Sequence, residues 1–184
     1  MPRLTAAELE AARSRTIDDV LPGPGDPPLR VLFCGINPGL VSAATNQHFA
    51  RPGNRFWPAL HGSGFTPRRL QPSEQGELRA LGLGITNMVA RATARADELT
   101  PAEFVAGGER LRALVERVTP RWLAVVGIGA YRSAFAAPQA NVGPQEQRLG
   151  DTRVWVLPNP SGLNAHWQLP TLVEEFVRLR AAAS

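Results

Sequence analysis

Two short loops carry residue types that could handle a polar ligand. Gly35-Ile36-Asn37-Pro38-Gly39 and Pro158-Asn159-Pro160-Ser161-Gly162-Leu163-Asn164 both join asparagine to proline beside glycine. Such turns are stiff, and their glycines let a ligand approach the backbone closely. Either loop alone is a common turn. Around them lie Gln47, His48, Phe49, Arg51, Asn54, Arg55, Phe56 and Trp57, with Arg91 and Arg95 further along. Arginines mixed with aromatics and amides suit nucleic acid, offering phosphate contacts and faces for base stacking.

The elements between these loops must position them. Arg30 to Cys34 reads as a buried strand, an apolar run that stops at glycine. Leu83 to Val89, Trp122 to Gly127 and Val154 to Leu157 read as three more. Thr5 followed by Glu8 resembles a capping box opening a short helix that ends before Ile17. Thr100-Pro101-Ala102-Glu103 opens a helix expected to run to about Val118. Leu169, Leu172, Val173 and Phe176 share one face of a closing helix. Strands alternating with helices imply a parallel sheet covered on both sides, with ligands beyond the carboxyl ends of its strands. Both Asn-Pro loops then fall on one edge of one sheet.

A length of 184 residues suits one domain, and 43% hydrophobic against 20% charged residues allows a real core. We expect an N-terminal helix and Pro/Gly-rich linker over residues 1–28 and a single catalytic domain over 29–184. No apolar run reaches the roughly 18 residues of a membrane span, and Met-Pro-Arg-Leu opens no secretory core. The chain therefore reads as soluble, cytoplasmic and monomeric. With one cysteine, Cys34, and three unpaired histidines, neither a metal site nor a cofactor is expected. The net charge of +4 suits an anionic partner. All 20 basic residues are arginine, so no side chain can form a Schiff base. Only the chain terminus could, as Pro2 after methionine removal.

From about Leu29 to Arg180 the sequence resembles the mismatch-specific uracil-DNA glycosylases, relatives of the thymine-DNA glycosylases. The resemblance rests on Gly35 to Gly39 followed by Ser42-Ala43, on Phe49 to Trp57, and on Asn159-Pro160-Ser161-Gly162-Leu163. It implies an α/β fold, a three-layer αβα sandwich around a mainly parallel four-stranded sheet. It also implies duplex DNA as partner and uracil opposite guanine as substrate.

Roles carry over residue by residue. Asn37 looks like the residue that positions the attacking water; an amide cannot take a proton, so it can only orient that water. Ile36, Gly39, Ser42 and Phe49 would bind the base, Phe49 as its stacking floor. By residue type alone, Phe49 reads as core and Leu163 as loop packing. The resemblance makes Leu163 the wedge that enters the duplex. Arg51, Arg55, Arg91, Arg95, Asn159, Ser161, Gly162 and Asn164 would contact DNA. Asn164-Ala165-His166 departs from the serine and arginine of relatives. Asn87 stands where relatives carry lysine, and Val89 to Thr93 lacks the family's aspartate and proline.

Asp97 follows the second strand, beside Arg91 and Arg95, where the next helix already has its cap in Thr100. It reads either as a solvated partner of those arginines or as a second catalytic group. Two other functions fit the residues less well, a non-catalytic lesion binder and a small-molecule nucleoside hydrolase.

Overall fold

The computed structural model describes residues 4–184. The chain terminus, and with it Pro2, lies outside the described residues. Five strands form one sheet: β1 (Val31–Gly35), β2 (Leu83–Asn87), β3 (Trp122–Val126), β4 (Gly143–Leu149) and β5 (Thr152–Leu157), in the order β2-β1-β3-β5-β4. The first four in spatial order run parallel, and β4 lies antiparallel to β5 at the edge.

The sheet thus has five strands and not the expected four. Its extra member, Gly-Pro-Gln-Glu-Gln-Arg-Leu, has no apolar interior residue and leaves one face open to water. Its pairing with β5 is what makes it a strand, a cue that hydropathy does not contain. β1, β2 and β3 are buried along their whole length and β5 everywhere but at Arg153, which is why they read as largely apolar runs.

Alternate residues serve two cores. Val31, Phe33, Ile85, Ala124 and Leu157 pack with Phe56, Leu60, Leu172 and Phe176 from α3 (Phe56–Gly62) and α6 (Leu169–Ala182). Leu32, Cys34, Leu123, Val125 and Val156 pack with Leu111, Leu114 and Tyr131 from α4 (Pro101–Val118) and α5 (Ile128–Ala134). Helices on both faces complete the three layers.

Both expected capping boxes form, Thr5 with Glu8 at α1 (Ala6–Ala11) and Thr100 with Glu103 at α4. The N-terminal segment then packs on α2 (Leu40–Thr45), where Ala12, Ala43 and Ala92 meet in a small cluster. It ends by pairing with the outer edge of β2, Val20 N–H donating to the Ile85 carbonyl at 2.8 Å and Ile85 N–H returning the bond at 2.9 Å. That edge is therefore covered. Among the described residues no helix is long and apolar enough to cross a membrane.

The chain leaves β1 toward β2 on one side and takes up β3 on the other. The crevice of such a sheet opens at that reversal, beyond the carboxyl ends of the strands.

Candidate active site

The loop after β1 is held by the segment after β2. Met88, Val89 and Thr93 donate their N–H groups to the carbonyls of Gly35, Ile36 and Pro38 at 2.8, 2.9 and 3.1 Å. This brings Thr93 and the Arg91 carbonyl to the side chain of Asn37. Asn37 Nδ2 donates to Thr93 Oγ1 at 2.7 Å and to the Arg91 carbonyl at 2.9 Å, with the Pro38 carbonyl at 3.3 Å. A carbonyl can only accept, so the amide has one orientation. Its nitrogen is committed to the protein, and its Oδ1 accepts from no described residue.

Beside Asn37 a recess of about 110 Å³ is bounded by Ile17, Pro38, Gly39, Ser42, His48, Phe49 and Asn87, among others. Its scale is that of a single heterocyclic base. Phe49 stacks on Phe56 with ring centroids 4.0 Å apart and planes 18° from parallel. The backbone at Phe49 is left-handed, φ 53°. For a non-glycine residue that conformation costs about 1–2 kcal/mol. It is enforced from the preceding residue: His48 N–H donates to Gln75 Oε1 at 2.7 Å, and Trp57 Nε1 donates to the His48 carbonyl at 3.0 Å. Strain of this kind concentrates where a side chain must be held in place for function. Gly35 packs directly under two of these residues, since a Cβ there would lie 2.6 Å from Asn87 Oδ1 and 3.3 Å from Phe49 Cζ.

The loop after β5 closes the other side. Asn159 Oδ1 accepts from the Ser161 N–H at 2.9 Å, and Asn164 Nδ2 returns to the Asn159 carbonyl at 3.0 Å. Gly162 sits so close to Gly53 that a Cβ would lie 2.6 Å from its carbonyl oxygen. Leu163 projects at the tip, 75% exposed and the most exposed large hydrophobic side chain among the described residues.

These pieces line one cavity of about 600 Å³, which gathers Ile36, Asn37, Gly39, Phe49, Arg51, Arg95, Asp97, Asn159, Ser161 and Leu163. With the two loops, the recess and the projecting leucine in place, the sequence matches the family model of the uracil DNA glycosylase superfamily over residues 22–180. The chain belongs to the uracil-DNA glycosylase superfamily. Membership implies DNA glycosylase activity on uracil-type lesions, a hydrolase reaction of DNA repair, and DNA as the partner.

Not every expected contact of this glycosylase faces the cavity. Arg55 was expected on phosphate, but its half-buried guanidinium turns inward to the Leu163 loop. Its Nη1 donates to the carbonyls of Asn164 and Trp167 at 2.9 Å each and of Ser161 at 3.4 Å. Its Nη2 reaches the Gly162 carbonyl and Gln168 Oε1 at 3.3 Å. Arg91 is likewise engaged, its Nε and Nη2 bonding both oxygens of Glu103 at 2.7 and 3.0 Å. That guanidinium, with the Thr100 N–H, brings the Glu103 carboxyl down to about 2. Arg51 and Arg95 stand exposed on the rim.

Asp97 also stands on the rim, more than half exposed and paired with Arg95 two residues away. An isolated exposed pair of this kind contributes little to stability. Asn164 braces the Leu163 loop, and Gly162 lines an adjoining cleft with Arg51 to Asn54 and Leu163.

Three site residues were not assigned roles from sequence. Thr93 carries no local signal, because its partner is 56 positions away. In the sequence His48 stands out only as a neighbour of Phe49, and Asn87 only as a departure from the family pattern. The one available cue for Asn87 was an amide closing an apolar strand run, at the edge where ligands bind.

Proposed function

We propose that this protein is a monofunctional, mismatch-specific glycosylase that removes uracil from G·U mismatches in duplex DNA, with ethenocytosine and thymine as candidate further bases. In this reading the target nucleotide leaves the duplex, its base enters the recess and stacks on Phe49, and Leu163 fills the gap. The C1′–N1 bond breaks first, and its electron pair leaves with the base as an anion. The Phe49 N–H, which has no acceptor among the described residues, and the backbone from Ile36 to Gly39 supply dipoles to that anion. Asn37 Oδ1 accepts from one water and holds it for attack on the sugar cation. The proton released passes to solvent, since an amide cannot take it. Arg51 and Arg95 meet backbone phosphates at the rim.

The observation that carries this reading is the lock on Asn37. Two protein acceptors consume its N–H groups and leave a bare acceptor beside a base-sized recess. Single-turnover incubation with a G·U duplex tests it. Free uracil should appear, with an abasic strand that breaks only in alkali. Binding without release would indicate a lesion binder, and cleavage of free deoxyuridine a nucleoside hydrolase. Because the chain has no lysine, borohydride should trap no covalent complex with DNA.

A second prediction concerns the exposed leucine. Leu163→Ala should slow uracil release from a paired duplex by about tenfold or more and leave an unpaired uracil nearly unaffected. The wedge helps only where stacking must be broken. Equal losses on both substrates, measured under single turnover, would reduce Leu163 to a packing residue.

A further inference from the structure

The segment ahead of residue 22 lies outside the stretch that matches the family, yet it packs on the loop that orients Asn37. That loop offers Asn37 Nδ2 two acceptors, the Arg91 carbonyl and Thr93 Oγ1. Ala92 stands between them, 1% exposed, in a closed cluster with Ala12 and Ala43. Ala12 opens the single turn Ala12–Ser14 that continues α1, and the next residue, Arg13, reaches across to the same loop. Its Nη1 donates to Glu98 Oε2 at 3.0 Å, while Glu98 Oε1 accepts from the Arg95 N–H at 2.9 Å.

Arg91 ties the loop down from the other side. Its Nε and Nη2 hold both carboxylate oxygens of Glu103 in the first turn of α4, and Nη2 also reaches the Glu98 carbonyl at 3.1 Å. Three of the five guanidinium hydrogens are thereby spent within the protein. A phosphate would have to compete with a carboxylate already held in a fork. The Arg91 carbonyl belongs to the planar peptide unit that joins Arg91 to Ala92. Anchoring the side chain of one residue and burying that of the next fixes the direction of this oxygen.

We propose that Arg91 is a positioning residue for Asn37 and that the N-terminal helix completes the clamp from the opposite side. This rests on the glycosylase reading above. If the Arg91–Ala92 peptide turns, Nδ2 keeps Thr93 Oγ1 and only the longer contact, 3.3 Å, to the Pro38 carbonyl. The amide can then swing, and with it the Oδ1 that holds the attacking water. A displacement of about 1 Å in a group that orients a reactant costs up to about 10²-fold in rate. Exposed ion pairs contribute little to stability, so losing one should disturb this geometry more than the fold.

The full chain is tested by kinetics and by NMR. Arg91→Leu should lower the single-turnover rate at saturating enzyme about tenfold, the remaining order coming from Thr93. Its DNA binding should keep the wild-type salt slope, whereas Arg51→Ala should flatten that slope by about one. Arg91→Lys keeps the charge but not the fork, so it should lose nearly as much rate; it also serves if Arg91→Leu fails to fold. Arg13→Ala should lose about threefold, the smaller share of a single exposed pair. In the Asn37→Ala background these substitutions should cost nothing further, because no amide remains to be oriented. Nitrogen-15 spectra of the side-chain amides, with Asn37 assigned by its absence in Asn37→Ala, give the second measurement. The Nδ2 hydrogens should exchange with water at least about tenfold faster in Arg91→Leu and Arg91→Lys than in the wild type. Unchanged exchange, a flattened salt slope in Arg91→Leu, or equal losses with and without Asn37 would each overturn the clamp. No uracil release by the wild type would sink the glycosylase reading instead, and the amide exchange then decides whether the clamp itself exists.

Discussion

Asn37→Ala is expected to lower the single-turnover rate of uracil release by about 10³-fold, within the range usual for groups that manage a reacting proton or water. The expectation follows from the amide lock. Thr93 Oγ1 and the Arg91 carbonyl hold Nδ2, so the lost Oδ1 has no protein substitute. Thr93→Val should reproduce part of this loss by letting the amide turn. Asp97→Ala is expected to cost only a few-fold, because its carboxylate is exposed and already engaged by Arg95. The decisive readout is the pH profile under single turnover. An acid limb present in the wild type and absent in Asp97→Ala would assign Asp97 to the chemistry. Unchanged rates for Asn37→Ala, with DNA binding intact, would remove Asn37 from it.

Arg55→Leu is expected to act at a distance from the chemistry, by releasing the Leu163 loop. Four carbonyls and one amide oxygen of residues 161–168 converge on this guanidinium. Charge-assisted hydrogen bonds contribute about 1.5–3 kcal/mol each, and these are not additive. A loss of about 3 kcal/mol is reasonable, or roughly 6–12 °C in Tm for a chain of this size. Release of uracil from paired duplex should fall about 10²-fold, and from an unpaired site much less, since only the former needs the wedge. Arg55→Lys should not restore either property, because a single ammonium cannot span so many carbonyls. Thermal melts and paired single-turnover assays would show it. A stable variant with normal duplex activity would mean that the loop holds its shape without Arg55.

The four apolar strands, the capping boxes at Thr5 and Thr100 and the closing helix were legible in the sequence. Each is written in a short window of propensity, period or cap chemistry. Both Asn-Pro loops were legible for the same reason, and their placement on one edge followed from the general rule for parallel sheets. Strand β4 was not, because a polar edge strand has no period of its own to distinguish it from a loop.

The sequence by itself determined the layers, the loop chemistry and the absence of any lysine amine. Tertiary structure alone decided what each polar group would face. Arg55 bonds residues more than 100 positions away, Asn37 is oriented from 56 positions away, and His48 meets Asp18 and Asn87 across 30 and 39. An apolar side chain needs only to be inside, which periodicity encodes. A donor or an acceptor needs one partner at one distance and angle, and which residue supplies it is settled only when the chain has closed on itself.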